Sequence, residues 1–296
     1  MPYRLEPQES LAAGLERVVR EQVAAAAEHL ADDDEPARAV HEARKRSKEA
    51  RAALRLLRGS LGDEAGRAAR GALRDAALRV AAARDAEASL AVLDKLRHAQ
   101  RLLRREHAPA EAALRERRNA ARAALDAAAA TEVAAAFAAA EAGLPAVRYA
   151  LAETVAAALA RIHRRGRDAM LAARASDSEE DHHRWRHEAK DLWYAVRLFE
   201  PAWPGPLAAL AEELRVVSQT LGEEHDLTVL RETLAAEGGD PPLLTPRIAR
   251  AIARRQAQLR ADAHDLGERL WAERPRAFAA RLLRYWRRWS RGDDGR

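Results

Sequence analysis

The sequence predicts an all-α protein of two pseudo-twofold-related helical bundles forming one compact unit. Three observations carry the all-α class, and an internal repeat carries the duplication. Valine, isoleucine and threonine, the β-branched residues that sheets normally draw on, number only 22 of 296 residues. Alanine, leucine, arginine and glutamate dominate instead, and these are the strongest helix formers. No stretch sustains the period-2 alternation of a half-buried strand, while glycine and proline recur at intervals that suit helices.

The elements follow in order. A first helix is predicted over 9–30, after a polar N-terminus with two prolines. The acidic run Asp32-Asp33-Asp34-Glu35 separates it from a second helix over 36–58. Pro36 falls in the first turn, where its missing N–H costs nothing, and the acids complement the helix dipole. Gly59-Ser60 and Gly62 close that helix. Helices over 63–83, 85–106 and 110–141 follow, the last opened near Pro109, and Gly143 and Pro145 mark the break between halves. The second half reads as helices over 146–174 and 180–200, the latter stopped by Pro201, Pro204 and Pro206. Two more are expected over 206–221 and 223–236, then one over 246–272 and a short basic helix ending at Trp289. One domain covers 1–296, with its halves at 9–141 and 146–289 and a disordered tail expected over 291–296.

Several function classes are excluded. With no cysteine there is no disulfide framework, zinc finger or thiol nucleophile. The most apolar stretch, 120–144, is mostly alanine and is interrupted by Arg122, Asp126, Glu132 and Glu141. No membrane span and no signal peptide are therefore expected, and a cytoplasmic location is. There is no Gly-rich phosphate loop and no acid cluster for a two-metal phosphatase, so no catalytic residue and no cofactor is expected. The net charge of +5 is modest, and what matters is where the positive charges lie.

An internal repeat places them. Residues 40–57 read VHEARKRSKEARAALRLL and residues 182–199 read HHRWRHEAKDLWYAVRLF. At an offset of 142, His41 falls on His183, Arg44 on Arg186, Lys48 on Lys190 and Arg55 on Arg197. At an offset of 141, Leu73-Arg74 falls on Leu214-Arg215 and Arg84-Asp85 on His225-Asp226. In the second helix, Val40, Ala43, Ser47, Ala50, Leu54 and Leu57 form the core seam. One position on lie His41, Arg44, Lys48, Arg51, Arg55 and Arg58, a basic row about 25 Å long at 1.5 Å per residue, with Lys45 beside it. A solvated helix face normally mixes signs. Like charges in one row repel unless an anion compensates them.

On these residues the chain resembles the CHAD family, the conserved histidine α-helical domain. The resemblance rests on His41-x-x-Arg44-Lys45-x-x-Lys48-x-x-Arg51, on His183-x-x-Arg186-x-x-x-Lys190 followed by Tyr194, and on the Leu-Gly-x-x-His-Asp run from Leu221 to Asp226. It spans about 9–289. It implies a basic channel between pseudo-symmetric bundles and binding of inorganic polyphosphate, with His41, Arg44, Lys45, Lys48, Arg51, His183, Arg186 and Lys190 as ligands. Trp193 departs from the pattern, standing where Arg51 does in the first unit, and His187 stands at the Lys45 position with only conditional charge. Arg55, Arg74, Arg197 and Arg215 join the expected set by register.

The functional expectation is non-catalytic binding of polyphosphate, docking the protein on polyphosphate granules among granule-associated proteins. The alternatives are a nucleic-acid-binding helical protein and an enzyme acting on polyphosphate or phosphate esters. His183 and His187 lie four apart, but neighbouring arginines oppose a metal ion, and none is expected. Asp85 and Asp226 read as helix-start caps. Tyr285, Trp286 and Trp289 read as a terminal helix docking its aromatics on the bundle.

Overall fold

The computed structural model describes residues 3–32, 36–61, 63–78, 81–123, 127–144, 152–237 and 242–291, and every regular element among them is helical. The first half holds α1 (Leu11–Asp32), α2 (Pro36–Leu56), the single turn α3 (Arg58–Leu61), α4 (Asp63–Leu78), α5 (Ala81–Ala99), α6 (Arg104–Ala123) and α7 (Ala127–Ala142). The second holds α8 (Ala152–Ser176), α9 (Glu179–Phe199), a 3-10 turn (Glu200–Ala202), α10 (Pro204–Ala236), α11 (Pro246–Leu270) and α12 (Pro275–Ser290). Most of the acidic run, Gly62, Pro145 and the tail beyond Arg291 lie outside the described residues.

The order of contacts repeats between the halves. α1 packs on α2 and α7 as α8 packs on α9 and α12, and α5 packs on α6 as α10 packs on α11. The single α10 occupies the place of α4 and α5 together. The two helices expected over 206–221 and 223–236 are one, running straight through Gly222. A mid-helix glycine costs only about 1 kcal/mol. A Cβ at Gly222 would stand 3.5 Å from the Arg186 Nε of α9, an ordinary contact.

Of the helix expected over 110–141, α6 and α7 hold the described residues and residues 124–126 lie outside them; Pro109 lies inside α6 rather than at its start. The real break is the end of α5. Arg101 takes a left-handed φ of 51°, and the Leu102 N–H donates to the Arg97 carbonyl at 2.9 Å. That is a Schellman-type stop in which glycine is usual. The arginine there hid the helix end.

Two apolar cores form, and neither coincides with a sequence half. The larger joins α1, α2, α4 and α7 with α8, α9, α12 and the start of α10. The smaller joins Leu93, Leu96 and Leu114 of α5 and α6 with Leu227, Leu230 and Ile252 of α10 and α11. Each core takes helices from both halves, so neither half can bury its apolar faces alone.

At the close packing of α8, α9 and α11, two fully buried tryptophans rest on glycines. A Cβ at Gly166 would stand 2.5 Å from Trp271 Nε1, and one at Gly267 would stand 2.6 Å from Trp185 Cζ2. Gly166→Ala or Gly267→Ala should each lower stability by about 1–3 kcal/mol through overpacking. Gly71→Ala, whose Cβ meets nothing, should not. Urea unfolding midpoints check this, and equal midpoints for all three would show that the rings yield freely.

Candidate functional site

Helices α2, α5, α9 and α10 enclose a cavity of about 370 Å³. Spacings of three and four put Arg44, Lys48, Arg51 and Arg55 on one face of α2, and that face forms one wall. α9 supplies Arg186, His187, Lys190, Asp191 and Tyr194. α5 adds Ala88, Ser89 and Val92, and α10 adds His225, Asp226 and Val229. The repeat is visible in the lining: Arg44 and Arg186, Lys48 and Lys190, and Ala88 and Val229 are equivalent positions facing one space. Six permanent cations meet two carboxylates there.

Reciprocal ion pairs fix the crossing of α2 and α9. Arg55 Nε lies 2.9 Å from Asp191 Oδ2, and Arg197 Nη1 lies 3.0 Å from Glu49 Oε1. At the 142 offset Arg55 is equivalent to Arg197 and Glu49 to Asp191, so each half gives an arginine and accepts one. This is the self-complementary contact of a twofold interface, made within one chain. Burial pushes the Asp191 carboxyl up, and the Arg55 and Arg51 guanidiniums pull it back. Glu49 is fully buried and also lies 3.4 Å from Arg46 Nη1, so losing Arg197 would remove the shorter of its two ion pairs.

The groove is strained electrostatically. Burial and the Arg55 guanidinium beside it lower the pKa of Arg51, and the Arg51 Nε is buried with no hydrogen-bond partner. At one end, three imidazoles form a chain. His187 Nε2 lies 2.8 Å from His183 Nε2, and His183 Nδ1 lies 3.1 Å from His225 Nδ1. Each contact needs one nitrogen to donate and the other to accept. Desolvation, then His183 and Arg186, pushes His187 and His225 down to about 4, and burial and Arg186 lower His183. At neutral pH these rings are uncharged.

Of the sequence-predicted residues, Arg44, Lys48, Arg51, Arg55, Arg186, His187 and Lys190 line the cavity together. His183 lies behind His187 and His225. The others do not line it. His41 is exposed, and Lys45 pairs with Glu42 at 3.1 Å. Arg74 is exposed and bonds to Asp75 at 3.0 Å, and Arg215 bonds to Glu212 and, at 2.6 Å, to Gln219. Arg197 is turned to Glu49 and to the rings of Trp193 and Tyr3, 5.1 and 5.2 Å away. Trp193 thus covers Arg197, and the neighbouring Tyr194 forms the aromatic part of the wall.

Asp226 lies deep within α10 and faces the cavity, so it does not cap a helix start; the side chain of Asp85 lies outside the described residues. Sequence reasoning also passed over Asp191, whose signal was its repeat equivalence to Glu49. In the first helix of each half, Arg17 is held by Glu9 and Glu21, Arg20 by Glu16 and Arg165 by Glu188.

Fold and groove together define a duplicated all-α domain with cations from both halves facing one central cavity. The CHAD domain profile matches residues 17–235, and the chain belongs to the CHAD domain family. Among solved structures it is similar to the crystal structure of the CHAD domain from the plant Ricinus communis, at 17% sequence identity and a TM-score of 0.57. The match covers 91% of this chain and 94% of that one. At that identity the likeness speaks for the fold. No curated protein matches the chain. Among the described residues, no helix is long and apolar enough to cross a membrane.

Proposed function

We propose that the central groove binds inorganic polyphosphate and does not turn it over. The observation that carries this reading is the convergence of Arg44 and Lys48 with their repeat equivalents Arg186 and Lys190 on one cavity. Polyphosphate is a flexible chain with about one negative charge per unit. Arginine can engage two oxygens of one phosphate at once, and neither arginine nor lysine loses its charge near neutral pH. The Arg51 Nε supplies a buried donor in want of an acceptor. A bound polyanion also favours imidazolium at His187 and His225, adding donors on rings that are otherwise neutral. Among the groove carboxylates, Asp191 is committed to Arg55. Binding without chemistry suits a role in docking on polyphosphate-rich granules.

Packing of Tyr285, Trp286 and Trp289 against the main core weighs against a base-stacking nucleic-acid surface. Titration of long-chain polyphosphate, ATP and duplex DNA at matched near-physiological salt tests the reading. Polyphosphate should bind far more tightly than the other two, because ATP fills few of the cation positions and a stiff duplex is too wide for the groove. Binding should weaken as salt rises, by analogy with counterion release from nucleic acids. Chain length should stay unchanged with Mg²⁺ present. Equal affinity for DNA, or phosphate release lost on Lys190→Ala, would contradict it.

A further inference from the structure

We propose a second polyphosphate-binding surface, the trough between α8 and α12, so that one protein bridges two chains; the choice of ligand rests on the reading of the central groove. Two depressions of about 670 and 560 Å³ lie end to end along these helices and share Ala156 and Ala280. Their floor is alanine with Leu283. Arg161, Arg164, Arg274 and Arg276 border one depression, and Arg284, Arg287, Arg288 and Arg291 border the other.

These arginines line one trough together and mostly lack partners among the described residues. Among the described residues, no ion pair or hydrogen bond engages them, except that Arg287 comes within 3.9 Å of Glu153, the one carboxylate on the lining. Several arginines elsewhere are held by carboxylates, as Arg231 is by Glu179, Arg260 by Glu224 and Arg281 by Glu273. Arg284 and Arg288, and Arg287 and Arg291, are four apart, a spacing at which like charges destabilise a helix.

The fold does not require this charge. α7 packs on α1 as α12 packs on α8, yet α7 carries Glu132 and Glu141 and no basic residue, whereas α12 carries five arginines and no acid. α12 also lies beyond the residues matched by the family profile.

The lining selects a phosphate chain. The run along α12 is about 24 Å at 1.5 Å per residue, far longer than a single small anion. It holds no Asn, Gln, Ser, Thr or aromatic side chain that could read or stack a base. Its apolar side chains are short and lie between the helices, where they cannot insert into a lipid surface. What remains is recognition by guanidinium alone, which suits a bare polyphosphate. With two separate cationic surfaces, each protein becomes a cross-link, and binding to dense polyphosphate gains avidity.

Calorimetric titration of the full chain with a polyphosphate too short to span both surfaces tests this. Two chains should bind per protein, and long polyphosphate should give turbid assemblies. Arg284→Gln/Arg287→Gln/Arg288→Gln should reduce the stoichiometry to one and abolish turbidity, with the thermal melt unchanged. Arg44→Ala/Arg186→Ala should leave only the outer chain. One chain per wild-type protein, unaffected by the glutamine variant and lost in the alanine variant, would overturn the second surface and leave the groove reading standing. Binding lost only in the glutamine variant would overturn the groove reading instead. Tighter binding of duplex DNA or phosphatidylserine vesicles than of polyphosphate, lost with the same three glutamines, would overturn the ligand assigned here.

Discussion

With the outer trough silenced by Arg284→Gln/Arg287→Gln/Arg288→Gln, replacing Arg44 and Arg186 together by alanine should weaken binding of long-chain polyphosphate at least about 100-fold. A hydrogen bond to a charged group contributes about 1.5–3 kcal/mol, and about 1.4 kcal/mol is tenfold in affinity. Two such losses reach that factor even at the low end. The salt dependence should become shallower in the same variant, because fewer phosphates are neutralised. Arg74→Ala/Arg215→Ala is the matched control. It also removes one arginine from each repeat, but these two lie outside the cavity and are engaged by Asp75 and by Glu212. In the same background its affinity should stay within a few-fold of the parent's. Equal losses in the two variants would show that net charge, not the groove, governs binding.

Acid should destabilise the empty protein steeply below pH 6.5, with His163 a main cause. This ring is fully buried beside Phe278, at 4.5 Å between centroids, and burial lowers its pKa from 6.5 to about 4 despite the opposing pull of Glu273. Above pH 6.5 the ring is neutral in both folded and unfolded states and costs nothing. Below it, the unfolded chain takes up a proton that the folded one refuses. Stability therefore falls by about 1.4 kcal/mol per pH unit until about pH 4, roughly 3 kcal/mol from this group. His163→Phe should flatten the decline of the urea midpoint between about pH 6.5 and 4.5, and an unchanged slope would remove His163 as the cause. His187 and His225, also near 4, act in the same direction. Bound polyphosphate should oppose their share by favouring imidazolium, and should leave the share of His163 untouched.

The basic row of α2 was legible because helical spacing alone puts Arg44, Lys48, Arg51 and Arg55 on one face, and the repeat carried two of them to Arg186 and Lys190. Which members of a row meet a partner helix is a tertiary fact. His41 lies a turn before the enclosed part, Lys45 sits beside the row and meets Glu42, and Arg197 shares the register of Arg55 yet turns to Glu49. The reciprocal pairs depend on where two helices cross, which spacing along one helix does not encode. The histidine chain was half visible. His183 and His187 are four apart, but His225 reaches them from α10. Helix ends failed where their chemistry lacked its usual residue, as at Arg101, and where a glycine lies inside a helix rather than at its end, as at Gly222. The division into cores escaped because the repeat marks sequence halves, whereas burial pairs helices across them.

The most direct measurement is a crystal structure of the protein grown with long-chain polyphosphate at near-physiological salt. The expected result is a phosphate chain lying between α2 and α9, with oxygens within hydrogen-bond distance of Arg44, Lys48, Arg186 and Lys190 together and imidazole donors at one end. An empty central cavity, with phosphate density only on other faces of the molecule, would contradict it.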